Sequence, residues 1–388
     1  MNSATLSLHI ATRQVGLALL LVLPHIPPAV ANDDAPLAAV EVLSDEQVAN
    51  GWIALLDGES LFGWHQQQKA GWKLYDGALQ SGEANHPIYF ATRFSRFQLK
   101  FQYQPHTPGQ AMLLLLSEQI DAQLPPAPLT LSIPQEANRQ SPQRGWIDVE
   151  MVAQRDEITL NIGGQQVAKV DRPTQAPFHI GLSAEEGGGA VRNVVLKPLG
   201  LGELFNGSDL TGWSLKNAAK SRCDVTPTGE MHVRGGEGQI ETTETFDDFV
   251  LQLEAKTLAD GVNSGLFFRA VSGTFRKIQG YESQIYNVVD PQKPDRPQKF
   301  GTGGLYLRQP ARQQTAQDHK WFAKTIVADG PHFAIWVNGM LVCDYTDERP
   351  VASNARQGTR LTAGVICLQG HDPATDILFR KLGIGSYR

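Results

Sequence analysis

An internal repeat constrains the fold of this chain more than any other feature of its 388 residues. Leu56-Asp57-Gly58, Leu61 and Gly63-Trp64 recur at one offset as Phe205-Asn206-Gly207, Leu210 and Gly212-Trp213, and Trp146, Gly163-Gly164 and Val167 recur at another as Trp321, Asn338-Gly339 and Val342. Because order and spacing agree throughout, the sequence predicts two homologous domains, over residues 51–199 and 202–388.

Within each repeat the hydrophobic pattern has a period of two. Phe333, Ile335 and Val337 alternate with the residues of the opposite strand face, and the hairpin signal Asn338-Gly339 follows them. Helical periodicity is nearly absent, and the one helical candidate covers residues 44–50. The pattern predicts an all-β chain with one antiparallel β-sandwich in each repeat.

Composition excludes several classes of function. Lys and Arg total 34 against 40 Asp and Glu, so the formal net charge is -6 and no basic excess is present to bind nucleic acid. The 3 Cys exclude a disulfide-rich scaffold, and none of them forms a C-x-x-C pair. The sequence leaves open whether Cys343 and Cys367, which lie in two apolar runs, form a disulfide.

Residues 1–31 have the pattern of a signal peptide. Arg13 precedes an apolar run over residues 15–23, and Ala29-Val30-Ala31 provides the small residues that a signal peptidase requires. The run is too short to span a bilayer by itself. We therefore expect cleavage after Ala31, a linker over residues 32–50, and a secreted or periplasmic protein that is not inserted in the membrane.

Polar side chains alternate with apolar ones in four predicted strands of the second repeat. If these strands share one sheet, their polar residues form a concave face that can bind hydroxyl groups and exchange protons. The residues that we place on this face are Asn263, Arg269, Glu282, Gln284, Tyr306, Arg308, Gln369 and His371. The same alternation is also typical of a solvated sheet face in which Glu282 pairs with Arg269 or Arg308. The first repeat carries an apolar run over residues 112–116 instead.

Several separated motifs of the second repeat follow one another in a recognisable order. They are Phe205-Asn206-Gly207 to Gly212-Trp213, Asp248-Phe249, Asn263-Ser264-Gly265 with Phe268-Arg269, Gly280-Tyr281-Glu282 with Gln284-Ile285, Thr302-Gly303 with Tyr306, Asn338-Gly339, and Leu368-Gln369 with His371. Together they resemble the 3-keto-disaccharide hydrolase domain family, whose fold is similar to the concanavalin A-like jelly roll. The resemblance implies two tandem jelly rolls, the first degenerate, and a glycoside oxidised at the third carbon of its sugar.

A ketone at that carbon acidifies the hydrogen on the second carbon, so a base can remove it and expel the glycosidic oxygen, after which water adds. We expect catalysis from Glu282, Arg269 and His371, and substrate contacts from Asn263, Gln284, Tyr306, Arg308, Gln369 and Trp336. The alternatives are a lectin-like carbohydrate-binding protein and a structural cell-surface module. No metal or other cofactor is predicted, although Asp290, Asp295 and Glu282 offer oxygen ligands to a divalent cation.

Overall fold

A computed structural model describes residues 9–12, 17–20, 42–66, 71–81, 87–105, 112–118, 129–133, 145–184, 188–274 and 277–387. The chain divides into two compact units. The first is built around Ala54–Leu199, and the second combines Asp45–Ile53 with Gly200–Arg388. The short segment that precedes the first repeat therefore packs with the second unit.

The N-terminal half of the chain forms two β-sheets. Its strands are β1 (His9–Thr12), β2 (Leu17–Leu20), β3 (Ile53–Ala54), β4 (Trp64–Gln66), β5 (Trp72–Tyr75), β6 (Ala78–Ser81), β7 (Ile88–Phe94), β8 (Phe97–Pro105), β9 (Met112–Ser117), β10 (Leu129–Ile133), β11 (Ile147–Ala153), β12 (Glu157–Ile162), β13 (Gln165–Asp171), β14 (Phe178–Ala184) and β15 (Gly189–Pro198). One sheet has the order β1-β2-β10-β9-β14-β7-β4, and the other has the order β13-β12-β11-β8-β15-β6-β5, with β3 beside β15. Strands β2 and β10 pair in parallel, whereas the other neighbours along these two paths are antiparallel.

The second unit is a sandwich of two larger sheets. Its strands are β16 (Gly202–Glu203), β17 (Trp213–Lys216), β18 (Ser221–Val225), β19 (Met231–Gly235), β20 (Gly238–Thr242), β21 (Phe249–Thr257), β22 (Ser264–Ala270), β23 (Tyr281–Ile285), β24 (Val289–Asp290), β25 (Lys293–Pro297), β26 (Phe322–Asp329), β27 (His332–Val337), β28 (Met340–Thr346), β29 (Val365–Gly370) and β30 (Asp376–Ser386). The five-stranded sheet β17-β20-β29-β22-β23 is named the site sheet. The eight-stranded sheet β18-β19-β30-β21-β26-β27-β28, with β16 beside β30, is named the back sheet, and β24 pairs separately with β25.

The core of the second unit lies between the site sheet and the back sheet. Ile240, Leu266 and Leu368 project into it from the site sheet, and Leu251 and Ile326 project from the back sheet. Because successive residues of a strand point to opposite faces, the residues between them lie on the far side of each sheet. This architecture confirms the predicted all-β class, with a jelly-roll sandwich in each repeat.

A short helix, α1 (Asp45–Ala49), lies within the segment for which the sequence predicts one. The residues after it are bound to the back sheet, since Gln252 Nε2 of β21 donates to the Gly51 carbonyl at 2.8 Å. Within the described ranges, no helix has both the length and the apolar character needed to cross a bilayer.

The predicted signal peptide is described only in part. Strands β1 and β2 lie within it and pair with each other, and β2 also pairs with β10. The Ala29-Val30-Ala31 sequence lies outside the described residues, so cleavage and export remain predictions.

All three cysteines are free thiols. Cys343 of β28 lies in the core between the two sheets, where burial raises the pKa of its thiol to about 12. Cys367 of β29 lies on the opposite face of the site sheet, in a small cluster with Phe267 and Val365. The site sheet separates the two thiols, and no disulfide joins them.

Candidate functional site

Two rows of residues cross the site sheet on the face that points away from the core, which we name the outer face. The strand register sets Gln239 opposite Gln369 and Glu241 opposite Cys367 on β20 and β29. It sets Gly265 opposite Gln284 and Phe267 opposite Glu282 on β22 and β23, and Phe267 opposite Cys367 on β22 and β29. The first row is therefore Gln239, Gln369, Gly265 and Gln284, and the second row is Glu241, Cys367, Phe267 and Glu282.

Glu282 is a buried acid of this face, with 6 % of its surface exposed. Its Oε2 accepts a hydrogen bond from Arg356 Nη2 at 3.1 Å. Burial raises the pKa of the Glu282 carboxyl, and this effect outweighs the opposing charges of Arg356, His371 and Lys324. Glu282 is therefore a carboxyl that can hold a proton at a higher pH than an exposed one.

Gly265 makes room for the Glu282 carboxylate. A Cβ atom at position 265 would lie 2.7 Å from Glu282 Oε1, which is closer than real Cβ contacts allow. The Glu282 carboxylate consequently lies over β22, towards the centre of the site sheet, rather than at its edge. Glycine is required here for close approach of a side chain.

His371 lies just beyond the end of β29, and 44 % of its side chain is exposed. Asn263 Nδ2 is 3.2 Å from each ring nitrogen, and Asp372 Oδ2 is 3.1 Å from Nδ1. Asn263 is itself fixed, because Thr375 Oγ1 donates to its backbone carbonyl at 3.3 Å. The structure thus brings the predicted residues Asn263, Glu282, Gln369 and His371 to one face.

Arg356 is supplied by a loop over residues 347–360 that is anchored to β23. Tyr281 Oη donates to Asp347 Oδ2 at 2.7 Å and accepts from the Arg360 backbone N–H at 3.0 Å. Arg349 binds both Asp347 oxygens, at 2.8 and 2.7 Å, and these hydrogen bonds overcome burial and lower the pKa of Asp347 to about 2. Burial raises the pKa of Tyr281 to about 12, so its hydroxyl stays a donor.

Glu241 and Gln239 form a second polar group on the outer face. Glu241 accepts hydrogen bonds from Ser272 Oγ at 2.5 Å and from the Gly273 N–H at 3.1 Å, and it pairs with Lys216 Nζ at 3.3 Å. Burial alone would raise the pKa of Glu241, but these donors lower it. Gln239 Nε2 donates to Glu241 Oε2 at 2.9 Å.

Two amide oxygens on the outer face are buried without a partner. Gln239 Oε1 and Gln369 Oε1 each lack a hydrogen-bond donor among the described residues. They belong to residues that are directly opposite in the β20–β29 ladder. Buried acceptors of this kind are rare.

The other predicted binders on this side are held by the protein itself. Gln284 is almost fully buried; its Nε2 donates to the Lys299 carbonyl at 3.2 Å, and its Oε1 accepts from the Ile285 N–H at 3.1 Å. Tyr306 packs against Phe300, and the Arg356 guanidinium lies 5.3 Å from its ring centroid. Tyr306 therefore borders the Glu282–Arg356 pair as an aromatic wall.

Arg269 is not on the outer face, so its predicted role as a catalytic cation is wrong. The side chain is fully buried and donates to the backbone carbonyls of Asp247, Gly330 and Arg360, at 2.7, 2.7 and 2.9 Å. Its Nη2 also pairs with Asp248 Oδ1 at 2.6 Å. Every guanidinium nitrogen of Arg269 is thus hydrogen-bonded within the protein, so none is left to bind a ligand.

Two further predicted substrate contacts are also corrected. Trp336 is fully buried on β27 of the back sheet, so it cannot stack on a sugar at the outer face. Arg308 Nη2 donates to the carbonyls of Ala355 and Arg356, at 2.9 and 3.3 Å. Arg308 thus holds the loop that carries Arg356 rather than a substrate.

Sequence reasoning missed Lys324, a fully buried lysine of β26. Its Nζ crosses the core and donates to the backbone carbonyls of Ser283 at 3.3 Å and Gln284 at 3.1 Å. Burial lowers the pKa of Lys324 to about 7, although the nearby Glu282 carboxylate opposes this change. A lysine at an inward-facing position of an apolar strand is the one sequence signal that pointed to it.

No three His, Cys, Asp or Glu side chains gather at one point in the described part of the chain. Of the proposed oxygen ligands, Glu282 lies on β23 and Asp290 on β24. The outer face therefore offers proton-exchanging groups and amides, without a cluster of cation ligands among the described residues.

A model of the 3-keto-alpha-glucoside-1,2-lyase-like domain matches residues 51–197 and again residues 200–385. The chain belongs to this family. The two matches agree with the two repeats and confirm the resemblance found in the sequence. Membership of this lyase-like family supports a carbohydrate-related function. A search of curated proteins found no match.

Solved structures similar to these lyase-like domains each overlap about half of the chain. One is a candidate glycosyl hydrolase from Parabacteroides distasonis ATCC 8503, with 18 % identity, 48 % of this chain and 94 % of that chain covered, and a TM-score of 0.40. Another structure of a candidate glycosyl hydrolase from the same organism has 22 % identity and a TM-score of 0.39, and the match covers 48 % of this chain and 100 % of that chain. The carbohydrate-binding module CBM66 from Bacillus subtilis has 17 % identity and a TM-score of 0.33, and the match covers 45 % of this chain and 96 % of that chain.

Proposed function

We propose that the second repeat cleaves 3-keto-glycosides by elimination followed by hydration. The family supports a 3-keto sugar as the substrate. The observation that carries the proposal is the buried Glu282 carboxyl, which lies beside Arg356 and within electrostatic reach of His371. One face thus holds an acid, a cation and an imidazole, which are the groups that this reaction requires.

The reaction balances as follows in protons and electron pairs. A base takes the proton from carbon 2, and the electron pair of that C–H bond delocalises onto the ketone oxygen. The pair then forms a double bond between carbons 1 and 2 while the glycosidic C–O bond breaks and an acid protonates the departing oxygen. Water adds across the double bond, with hydroxide on carbon 1 and a proton on carbon 2, so the net reaction is hydrolysis.

The roles follow from the surroundings of each group. His371 is the base, because it is half-exposed to the substrate side and Asn263 and Asp372 orient its ring. Glu282 is the acid, because burial raises its pKa and favours the protonated form. Arg356 stabilises the negative charge that develops on the ketone oxygen.

Substitution of Glu282 by Gln tests the proposal. Loss of the acid should lower kcat/KM for a 3-keto-disaccharide by about a hundredfold or more. The matched control is Glu254→Gln, because Glu254 is similarly buried and paired with Arg380 and Lys381, but lies on β21 of the back sheet. Equal activities of the two folded variants would contradict the proposal.

The lectin-like alternative has support from the amide groups of the outer face, which can bind hydroxyls without any chemistry. Incubation of the protein with a 3-keto-disaccharide and with its unoxidised parent separates the two functions. Cleavage of the oxidised sugar alone supports the enzyme, whereas binding of both without cleavage supports the lectin. Export through the predicted signal peptide is part of the proposal, and mass spectrometry of the mature N-terminus tests it.

A further inference from the structure

A short segment that contains Tyr306 extends the site sheet beyond β23. The Tyr306 N–H donates to the Glu282 carbonyl at 2.9 Å, and Leu305 forms an antiparallel bridge with Ser283. The next pair along this ladder is therefore Tyr306 and Glu282. Because Leu305 is buried in the core, Tyr306 lies on the outer face beside Glu282, and such register partners have Cβ atoms about 5 Å apart.

The hydroxyl of Tyr306 has no hydrogen-bond partner among the described residues, and it is not enclosed by the protein. The ring itself is fixed, since Phe300 packs edge-on against it with 5.1 Å between the centroids, and the Arg356 guanidinium lies 5.3 Å from its centroid. Arg356 Nε and Nη2 donate to the Ile278 carbonyl and to Glu282 Oε2, whereas Nη1 has no acceptor in the described part of the chain. A phenol and a guanidinium nitrogen beside the Glu282 carboxyl are thus both available to a ligand.

The backbone is strained on both sides of Tyr306. Lys299 and Phe300 have φ angles of 47° and 73°, and Leu307 has a φ of 61°. Bulky side chains rarely adopt this left-handed conformation. The Leu307 side chain is 51 % exposed, so its own packing does not account for the strain. Conformations of this kind cluster at functional sites, where they hold a particular side chain in place, and the side chain between these strained residues is that of Tyr306.

We propose that Tyr306 is a catalytic residue whose hydroxyl donates a hydrogen bond to the ketone oxygen of the substrate, beside Arg356. This inference rests on the proposed function. When the electron pair of the C2–H bond delocalises onto the ketone oxygen, that oxygen gains negative charge and is stabilised by fixed hydrogen-bond donors. Arg356 Nη1 supplies one donor and the Tyr306 hydroxyl supplies the other, while the phenol proton stays on Tyr306 throughout. Glu282 is thereby left to protonate the departing oxygen.

Tyr306→Phe tests this role, because it removes one oxygen atom and keeps the ring contacts with Phe300 and Arg356. Loss of one such donor should lower kcat for a 3-keto-disaccharide about a hundredfold, whereas KM should change by less than about twofold. The matched control is Tyr345→Phe, which should keep the wild-type kcat, since Tyr345 is also half-buried but lies on β28 of the back sheet. In titration calorimetry, Tyr306→Phe should bind the unoxidised parent disaccharide as tightly as the wild type, because that sugar has no ketone.

The possible outcomes separate this inference from the proposed function. A wild-type kcat in folded Tyr306→Phe overturns the catalytic role and leaves the proposed function intact. A raised KM with unchanged kcat, together with weaker binding of the unoxidised disaccharide, also overturns the catalytic role, since Tyr306 then only binds a sugar hydroxyl. If the wild type cleaves no 3-keto-disaccharide, the proposed function fails and the catalytic role of Tyr306 fails with it. Circular dichroism of both variants provides the folding control.

Discussion

Replacing Lys324 by Met should change how the stability of the second unit depends on pH. The folded-state pKa of Lys324 is about 7, against an ordinary value of 10.5, because its ammonium is fully buried. Between these two values the unfolded chain therefore holds more protons than the folded chain, and the free energy of unfolding rises with pH. Met is a side chain of similar length that carries no charge to desolvate.

The magnitude follows from the two pKa values. A difference of one bound proton changes the free energy of unfolding by about 1.4 kcal/mol per pH unit. Folded Lys324 is itself partly protonated near its pKa, so the difference between the two states there is less than one full proton. From about pH 6 to about pH 9, the free energy of unfolding of the wild type should therefore rise by about 3 kcal/mol relative to that of Lys324→Met. At the acid end the variant should be the more stable protein, because the wild type then buries a charge.

Urea unfolding of the full chain at both pH values measures this difference. The unfolding transition that the substitution shifts is that of the second unit. The contributions of all other titrating groups to the pH dependence are the same in both proteins, so they cancel in the comparison. Lys320→Met, at an exposed position before β26, is the control and should leave the pH dependence unchanged. Parallel stability curves for wild type and Lys324→Met would refute the argument that burial sets the charge of this lysine.

Three further outcomes are expected. Arg269→Met should lower the free energy of unfolding by about 3 kcal/mol, because the buried donor of Asp248 and of three carbonyls is lost; a loss below about 1 kcal/mol in urea titrations would contradict this. Gly265→Ala should reduce turnover of a 3-keto-disaccharide about a hundredfold, since the new Cβ displaces the Glu282 carboxylate, and circular dichroism should show an intact fold. In a pH–rate profile, activity should fall as pH rises through the raised pKa of Glu282, and Glu282→Gln should lack this limb.

The sequence predicted what depends on periodicity. The repeat and the alternation within strands identified the sandwich architecture, and the parity of Glu282, Gln284 and Gln369 was correct. Gln239 and Glu241 show the same alternation one strand earlier. Their importance depends on the pairing of β20 with β29, which is a long-range property that a local pattern does not contain.

The wrong site predictions arose where a bulge interrupts the alternation of side chains, or where the pattern does not show which sheet a strand joins. Arg269 lies within the register shift between Phe267 and Ala270 and has a φ of 46°, so a bulge turns its side chain to the other side of the strand. Trp336 has the predicted parity but belongs to the back sheet. Arg356 lies in a loop with no period, and long-range contacts such as Tyr281–Asp347 and Arg308–Ala355 place it at Glu282.

The anchoring of the loop over residues 347–360 has a consequence for the engineering of this fold. Its ends are bound to the sandwich through Tyr281 and Arg269, which contact Asp347 and Arg360. The intervening residues contribute one cation to the face and no strand to either sheet. Substitutions at Arg356 therefore change the charge that Glu282 faces without altering a strand of either sheet.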